Sequence, residues 1–592
     1  MTTPPEQKRK WFKSPWFYIP TGLLVLLLAV VAVLVHQLEN IIESNIRTAL
    51  ANEKEMAYRI DFESLRIRLL ENSIKLKGIR VNPKNELIKQ REEEGVYKSF
   101  TTHAQVETVS LKGLDWEKLI TEKKVHLNQL VIIKPDMDIY LTGKKQPKKV
   151  TDTLSLAEQI SSTVQLLDSI HVQEVLIRKG VFELYSPDSE RVLEINNLGL
   201  EMIGADYDTT HSDRLPVKFE KLLFSMGSAQ TSLGEEYVLS TGDIQLNYTD
   251  SSFKLNDLAI KSKFNRKEFT KRSKYERTQL DLETALIEGK GIDMERIIID
   301  QYIHVRSLAI DQVNFKGFKD KTPPWNTRKK HPILSQLIKK IPFLINVKQV
   351  HVANSDILFE LVMPEHEKPG KLYFSECFAS LYNITNDPEL LEESDRLTVD
   401  FASKMMHSGK LNVNLQFDLS GRADRFYVKG QLDKMPLQKL NDELEPLIGI
   451  EVSSGILHSA QIDISGNFND INGTVNLHYN DIQIDILKLK PDAEGKSSKF
   501  FSFIANAVVR TNNVPGTESY KEGYVHYTRS PDIPFFKFLW EGIFSGIKNT
   551  LIGIKSKEEK EMSKKRSGQS DTKDSSEEKG INKLFKKLKK KK

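Results

Sequence analysis

The sequence predicts a mainly β protein with a few helices: an N-terminal transmembrane helix, then an elongated antiparallel sheet that curls into a barrel or an open trough, then a C-terminal amphipathic helix. Three observations lead there. One long uncharged apolar stretch stands near the start of the chain. The body behind it alternates apolar and polar residues with a period of two, which is the signature of strands with one greasy face. Helical periodicity in that body is confined to a few short segments.

Trp16 to Val35 carries no charge and is mostly Leu, Val and Ile. A helix of about 20 residues crosses a hydrocarbon core of about 30 Å, so residues 16–38 are read as a transmembrane helix. Trp16 and Tyr18 are candidate membrane-contacting residues at headgroup level. The stretch is longer than the apolar core of a typical signal peptide, and no small-x-small cleavage site follows it. Lys8, Arg9, Lys10 and Lys13 precede it, whereas Glu39, Glu43, Glu53 and Glu55 follow it. The positive-inside rule therefore keeps residues 1–15 in the cytoplasm and exports the rest. No other segment is apolar enough to span. The expected placement is single-pass in the inner (plasma) membrane, with the body in the periplasm if the host is a double-membrane bacterium.

Hydrophobic content of 39% and charged content of 28% are those of a folded body. The net charge of +5 owes much to the lysines between Lys583 and Lys592, which leaves the body close to neutral. That argues against nucleic-acid binding, which needs a folded basic surface. The single cysteine, Cys377, excludes an internal disulfide and any zinc or redox cysteine pair.

Residues 39–57 continue the helical stripe as a membrane-proximal helix, through Leu38, Ile41, Ile42, Asn45, Ile46, Ala49 and Leu50. From Tyr58 the period changes to two. A recurring pattern pairs two alternating apolar residues, a two-residue break, and two more. It reads Ile60-x-Phe62-x-x-Leu65-x-Ile67, Val125-x-Leu127-x-x-Leu130-x-Ile132, Ile170-x-Val172-x-x-Val175-x-Ile177, Ile303-x-Val305-x-x-Leu308-x-Ile310 and Ile345-x-Val347-x-x-Val350-x-Val352. A polar or small break and a second short strand follow, as at Lys134-Pro135, Lys179-Gly180 and Asn354-Ser355. The two-residue break is expected to flip the apolar face, as a bulge or corner would. A related form places Asn196-Asn197 and Asn256-Asp257 at its break, where turn chemistry suits them.

Two helices are expected inside this region, at Leu154–Ile170 and Ile333–Leu344, each just ahead of a copy of the pattern. The repeated order of loop, helix, strand and strand suggests an internal duplication. Residues 58–395 are therefore read as an N-terminal β-trough with two inserted helices. Residues 396–530 alternate more cleanly and are punctuated by Gly421, Gly430, Gly466 and Gly473, as in an antiparallel meander of the same trough. A long one-sided sheet must cover its apolar face, and curling does so with few helices. Val413, Leu415, Phe417, Leu477 and Ile484 are the candidate groove-lining residues.

Residues 531–555 are expected to form the amphipathic helix, with Phe535, Phe538, Leu539, Gly542, Ile543, Gly546, Ile547, Thr550, Leu551 and Ile554 on one face and Trp540, Phe536 and Phe544 widening the apolar arc. One reading makes it a cap that completes the sheet's core; the other makes Phe535, Phe538 and Trp540 membrane-contacting in an interfacial helix. Residues 556–592 read as a disordered charged tail with a basic end, where Leu584 and Phe585 are further membrane-contacting candidates.

No catalytic, cofactor-binding or metal-binding residue is assigned. His103, His126, His171, His304 and His351 are scattered over polar strand positions, and zincin, nucleophile-elbow, phosphate-loop and cysteine-pair motifs are absent from the sequence. The chain is thus expected not to be an enzyme and to need no cofactor.

The anchor, the Ile60 strand with Lys77-Gly78-Ile79-Arg80-Val81 behind it, and the Ile170 and Ile345 units resemble the AsmA-like proteins of the wider bridge-like, TamB-like group. So do Met435-Pro436-Leu437-Gln438-Lys439-Leu440, Ile448 to Leu457 and Asn472-Gly473-Thr474-Val475-Asn476-Leu477. The resemblance covers essentially the whole exported body, through apolar patterns and glycines. It implies that the curled sheet is a U-shaped trough, in an inner-membrane-anchored envelope protein that binds or guides phospholipid, or another acyl-chain lipid, along an apolar β-groove toward the outer membrane. The alternative is a non-catalytic scaffold for outer-membrane biogenesis that works through contacts with envelope assembly proteins.

Overall fold

A computed structural model describes residues 37, 40–41, 43–44, 58–86, 89, 100–122, 124–143, 169–208, 217–364, 368–421, 423–487 and 509–551. The predicted transmembrane helix 16–38 lies outside the described residues apart from Gln37, and so does the tail 556–592. Of the membrane-proximal helix, Asn40, Ile41, Glu43 and Ser44 are helical. Among the described residues, no helix is long and apolar enough to cross a membrane.

The fold is mainly β. Among the described residues the helices are short: α1 (Trp116–Glu122), α2 (Arg266–Arg272), α3 (Met294–Ile299), α4 (Leu334–Lys339), α5 (Pro388–Glu393) and α6 (Asn441–Ile448), with only α7 (Phe535–Leu551) of ordinary length. The predicted helix Ile333–Leu344 ends early, at Lys339, because Pro342 disfavours helical backbone at the residue before it. The predicted helix Leu154–Ile170 lies outside the described residues up to 168, and Ser169 and Ile170 already belong to a strand.

The chain divides into two compact units. Residues 1–323, 338–359 and 375–397 form the first; residues 324–337, 360–374 and 398–592 form the second.

Unit 1 opens with β1 (Tyr58–Asp61), β2 (Ser64–Arg68), β3 (Ser73–Pro83), β4 (Phe100–Lys112), β5 (Lys124–Leu141), β6 (Ser169–Tyr185) and β7 (Arg191–Asp208). It continues with β8 (Val217–Lys218), β9 (Lys221–Met226), β10 (Ser228–Leu233), β11 (Tyr237–Thr241), β12 (Ile244–Asn247), β13 (Ser252–Ser262), β14 (Thr278–Ile292), β15 (Ile303–Asp311) and β16 (Asn314–Asp320). Three strands, β17 (Ile345–Val362), β18 (Gly370–Thr385) and β19 (Arg396–Met405), carry residues of both units.

The expected antiparallel sheet is in fact mixed. β5 pairs with β6 in parallel, and so does β15 with β17. These are the recurring pattern pairing with itself in register: Val125 faces Ile170, Leu127 faces Val172, Leu130 faces Val175 and Ile132 faces Ile177. In the second pair Ile303 faces Ile345, Val305 faces Val347, Leu308 faces Val350 and Ile310 faces Val352. Parallel neighbours need a crossover connection; the predicted helices fall in those two connections.

The break inside the pattern does not flip the apolar face. Both partner strands skip the same position, so both halves stay on one side. Leu127 with Leu130 and Val172 with Val175 share one cluster under Trp116 and Leu119 of α1, and Val305 with Leu308 and Val347 with Val350 share another under Met294 and Ile297 of α3. At the second break one residue takes the left-handed conformation in all four copies: φ is 49° at Lys134, 57° at Lys179, 57° at Gln312 and 50° at Asn354. The register shifts there between β6 and β7, beside Lys179, whereas β5 keeps its register with β4 and β6 across Lys134. Asn197 (52°) and Asp257 (51°) do the same in the related form, a conformation that Asn and Asp tolerate better than most residues.

In unit 2, β20 (Gly409–Asp418), β21 (Phe426–Leu432), β23 (Ile450–Gly466), β24 (Asp470–Ile486) and β25 (Gly523–Thr528) pair in sequence order, all antiparallel, with the two-residue β22 (Met435–Pro436) beside β23. α7 lies on this meander. Gly542 and Gly546 let it close onto Ile471, Val475 and Val525, while Phe535 packs edge-on against Phe426 and tilted against Phe417, and Phe538 edge-on against Phe426. Arg529 anchors the helix entry: its guanidinium donates to the carbonyls of His331, Phe468 and Ile533.

Candidate functional site

Residues directly opposite each other in a ladder share a face, so the pairings of unit 1 can be followed from strand to strand. One row runs Leu65, Leu76, Val109, Ile132, Ile177, Leu200, Phe224, Leu246, Phe253, Gly289, Leu308 and Val350. It crosses twelve strands with no polar residue in it. At its one glycine the ring of Phe253 occupies the space that a Cβ on Gly289 would need. Beyond the second break another row runs Ile139, Leu184, Leu193, Thr231, Leu239, Ile260, Leu282 and Phe315.

The first row is only partly covered. Leu65, Gly289 and Val350 are buried, and the other nine residues are partly exposed. Unit 2 differs: under α7, Phe417, Phe426, Ile464, Ile471, Val475 and Val525 are all essentially buried. The row is therefore an apolar face that the described chain leaves part-open, whereas the face beneath α7 is closed.

The opposite face of unit 1 is polar. A hollow of about 750 Å³ spans β6, β7, β9, β12, β13 and β14. Its lining includes Ile177, Leu200, Phe224, Leu246, Phe253 and Gly289 of the row together with their sequence neighbours, among them Arg178, Glu201, Gln245, Asn247, Lys254 and Lys290.

A smaller polar hollow of about 190 Å³ includes His103, Asp136, Asp138 and Tyr140. Burial and the neighbouring Asp136 and Glu183 carboxylates raise the pKa of Asp138 above its ordinary value. Glu183 is lowered by hydrogen bonds from Tyr185 and Arg191. A carboxyl pair pushed apart in this way is what acid–base work requires. Here, however, the two Glu183 oxygens are already engaged, by Tyr185 Oη at 2.6 Å and Arg191 Nη1 at 2.7 Å. The Tyr140 and Tyr185 rings stack 4.6 Å apart beside the pair. Among the described residues, no three of His, Cys, Asp and Glu come together as a metal site.

The candidates from sequence separate. Phe417 is buried beneath α7 and Leu477 is buried beside it, so neither lines an open groove, while Val413, Leu415 and Ile484 are partly exposed. Phe535 and Phe538 turn inward, at 8% and 0% exposure, and are corrected from membrane-contacting candidates to core residues; Trp540 stays at the surface. Trp16, Tyr18, Leu584 and Phe585 lie outside the described residues. The unit 1 row went unassigned from sequence because it exists only once partner strands are known. Its signal was the apolar pattern itself.

No protein-family model matches the chain, and a search of curated proteins finds no match.

Proposed function

We propose that the protein is an inner-membrane-anchored envelope protein of AsmA-like type that holds phospholipid acyl chains along the apolar row of unit 1 and guides them toward the outer membrane. The supporting observation is that row: twelve strands deep, free of polar residues and part-open. At the usual strand spacing it follows about 50 Å of sheet. Soluble domains cover such a face with helices or a second sheet. Acyl chains would cover it equally well, each buried CH₂ contributing about 0.8 kcal/mol, with headgroups at the open edge. The work is passive guidance and requires no cofactor.

The test compares lipid retained by the purified full chain with that retained by Phe224→Asp and by its neighbour Ser225→Asp, which points to the polar face. Mass spectrometry of extracted lipid should show phospholipid sharply reduced in Phe224→Asp and unchanged in Ser225→Asp. Equal retention in both variants would refute the reading.

A second reading, a scaffold for envelope assembly proteins, is favoured by unit 2, whose sheet face is closed by its own helix. Co-purification of such proteins with lipid content indifferent to Phe224→Asp would select it.

A further inference from the structure

Because α7 buries Phe535, Phe538, Gly542, Gly546 and Thr550, its other side is left outward. There Phe536, Trp540 and Phe544 recur every fourth residue. Phe536 is 78% exposed and Trp540 51%, the Trp540 and Phe544 rings lie nearly parallel, and Lys548 Nζ sits 4.7 Å above Phe544. Exposure of that size is unusual for two large apolar side chains on a helix already satisfied on its inner face.

A second feature of unit 2 adjoins the start of this helix. The loop from Trp325 to His331 is stitched to it: Trp325 Nε1 donates to Asp532 Oδ2 at 2.6 Å, the His331 N–H donates to the Pro531 carbonyl at 2.9 Å, and Lys537 Nζ lies 4.3 Å over the Trp325 ring. The loop carries Arg328, Lys329 and Lys330 in succession, all exposed and without an ion pair to any described residue. Asp532, the acid closest to them in these contacts, is occupied by Trp325 and Ser530. Glu541 lies on the flank toward Tyr527.

We infer that the Phe536–Trp540–Phe544 stripe with the Arg328–Lys330 loop is a docking surface for an anionic phospholipid bilayer. Aromatic side chains beside lysine and arginine are the composition that settles at a lipid headgroup boundary, and the charge is of the sign that anionic lipid attracts. The surface stands independently of the groove: it could dock a protein whose apolar row held no lipid.

The full chain offers a clean probe. Cys377 is 3% exposed and burial pushes its thiol up to about 11, so an NBD label added under native conditions goes to Phe536→Cys alone. Reconstituted in phosphatidylethanolamine/phosphatidylglycerol vesicles, the labelled chain should brighten about two-fold or more and shift to the blue, relative to phosphatidylcholine vesicles. Adding Arg328→Ser, Lys329→Ser and Lys330→Ser should remove most of that rise. Unchanged emission in anionic vesicles overturns the inference, as does an equal rise in neutral vesicles that survives the triple substitution. A rise present before vesicles are added, and lost on deleting residues 581–592, assigns the stripe to the chain's own end and overturns it too. Lipid retention by the Phe224→Asp variant reads the groove separately.

Discussion

Phe536 and Phe538 are two residues apart on one helix and should behave as opposites. Phe538 is fully buried, with its ring 6.1 Å from Phe426 and 6.0 Å from Tyr527, and the Arg529 guanidinium 5.5 Å from its centre. Phe538→Ala removes a whole aromatic ring from a closed interface and takes from Arg529 one of its two aromatic neighbours. Large-to-small changes of this type cost about 3–5 kcal/mol. Phe536→Ala removes a ring that is mostly in water, and such changes fall within about 0.5 kcal/mol. A chain with two units need not unfold in one step, so the effect is best read locally, by amide exchange of α7 and β25. If exchange follows local opening, a loss of 3–5 kcal/mol speeds it by about 10²–10³-fold in Phe538→Ala, with little change in Phe536→Ala. Equal acceleration in both variants would refute the placement of this helix as the lid of the unit 2 sheet.

Other expectations follow from single features. Lys179→Gly should stabilise β6 slightly and Lys179→Val should cost about 1–2 kcal/mol, because Lys179 holds a left-handed backbone at φ 57°; thermal denaturation with exchange over β6 checks both. Arg529→Lys should loosen the entry to α7 by about 2 kcal/mol or more, since an ammonium cannot reproduce the guanidinium bonds to three carbonyls, and faster exchange at the start of α7 is the readout. His478 stacks 4.5 Å from His458, and burial together with that neighbour lowers its pKa. In the unfolded chain it titrates near the ordinary value of about 6.5, so on acidification the unfolded state binds the proton first and stability falls from there down through the lowered native value. Denaturation from pH 8 to 5 should show this loss, reduced in His478→Gln.

Much of this fold was legible in the residues. The five pattern copies all fall on strands, the first divided into β1 and β2 with Phe62 between them, and Lys134, Lys179 and Asn354 at the polar breaks take left-handed backbone. Alternation reports which residues share a face but not the direction of the partner, and so the parallel pairing of Val125 with Ile170 was invisible. The same ignorance of partners produced the expected face flip: a lone strand flips at a two-residue gap, whereas two strands skipping together do not. On α7 the apolar arc was plain, but whether Phe538 met lipid or the sheet depended on the meander 60–120 residues earlier in the chain, beyond the reach of any local window. The row from Leu65 to Val350 was unreadable for the same reason.

The parallel pairs also bear on how the chain comes together. A hairpin can zip as soon as its turn is made, but β5 must wait for roughly forty further residues, a full crossover, before β6 returns to it; β15 waits about as long for β17. During each interval β5 or β15 is a raw edge with unpaired backbone and apolar side chains, the kind of surface that recruits the wrong strand. If the body crosses a membrane as it is made, those two intervals are when it most needs a chaperone or the ribosome's own pacing, and silent changes in translation speed within 142–168 or 312–344 should affect yield more than the same changes in the hairpin-rich stretch 409–466.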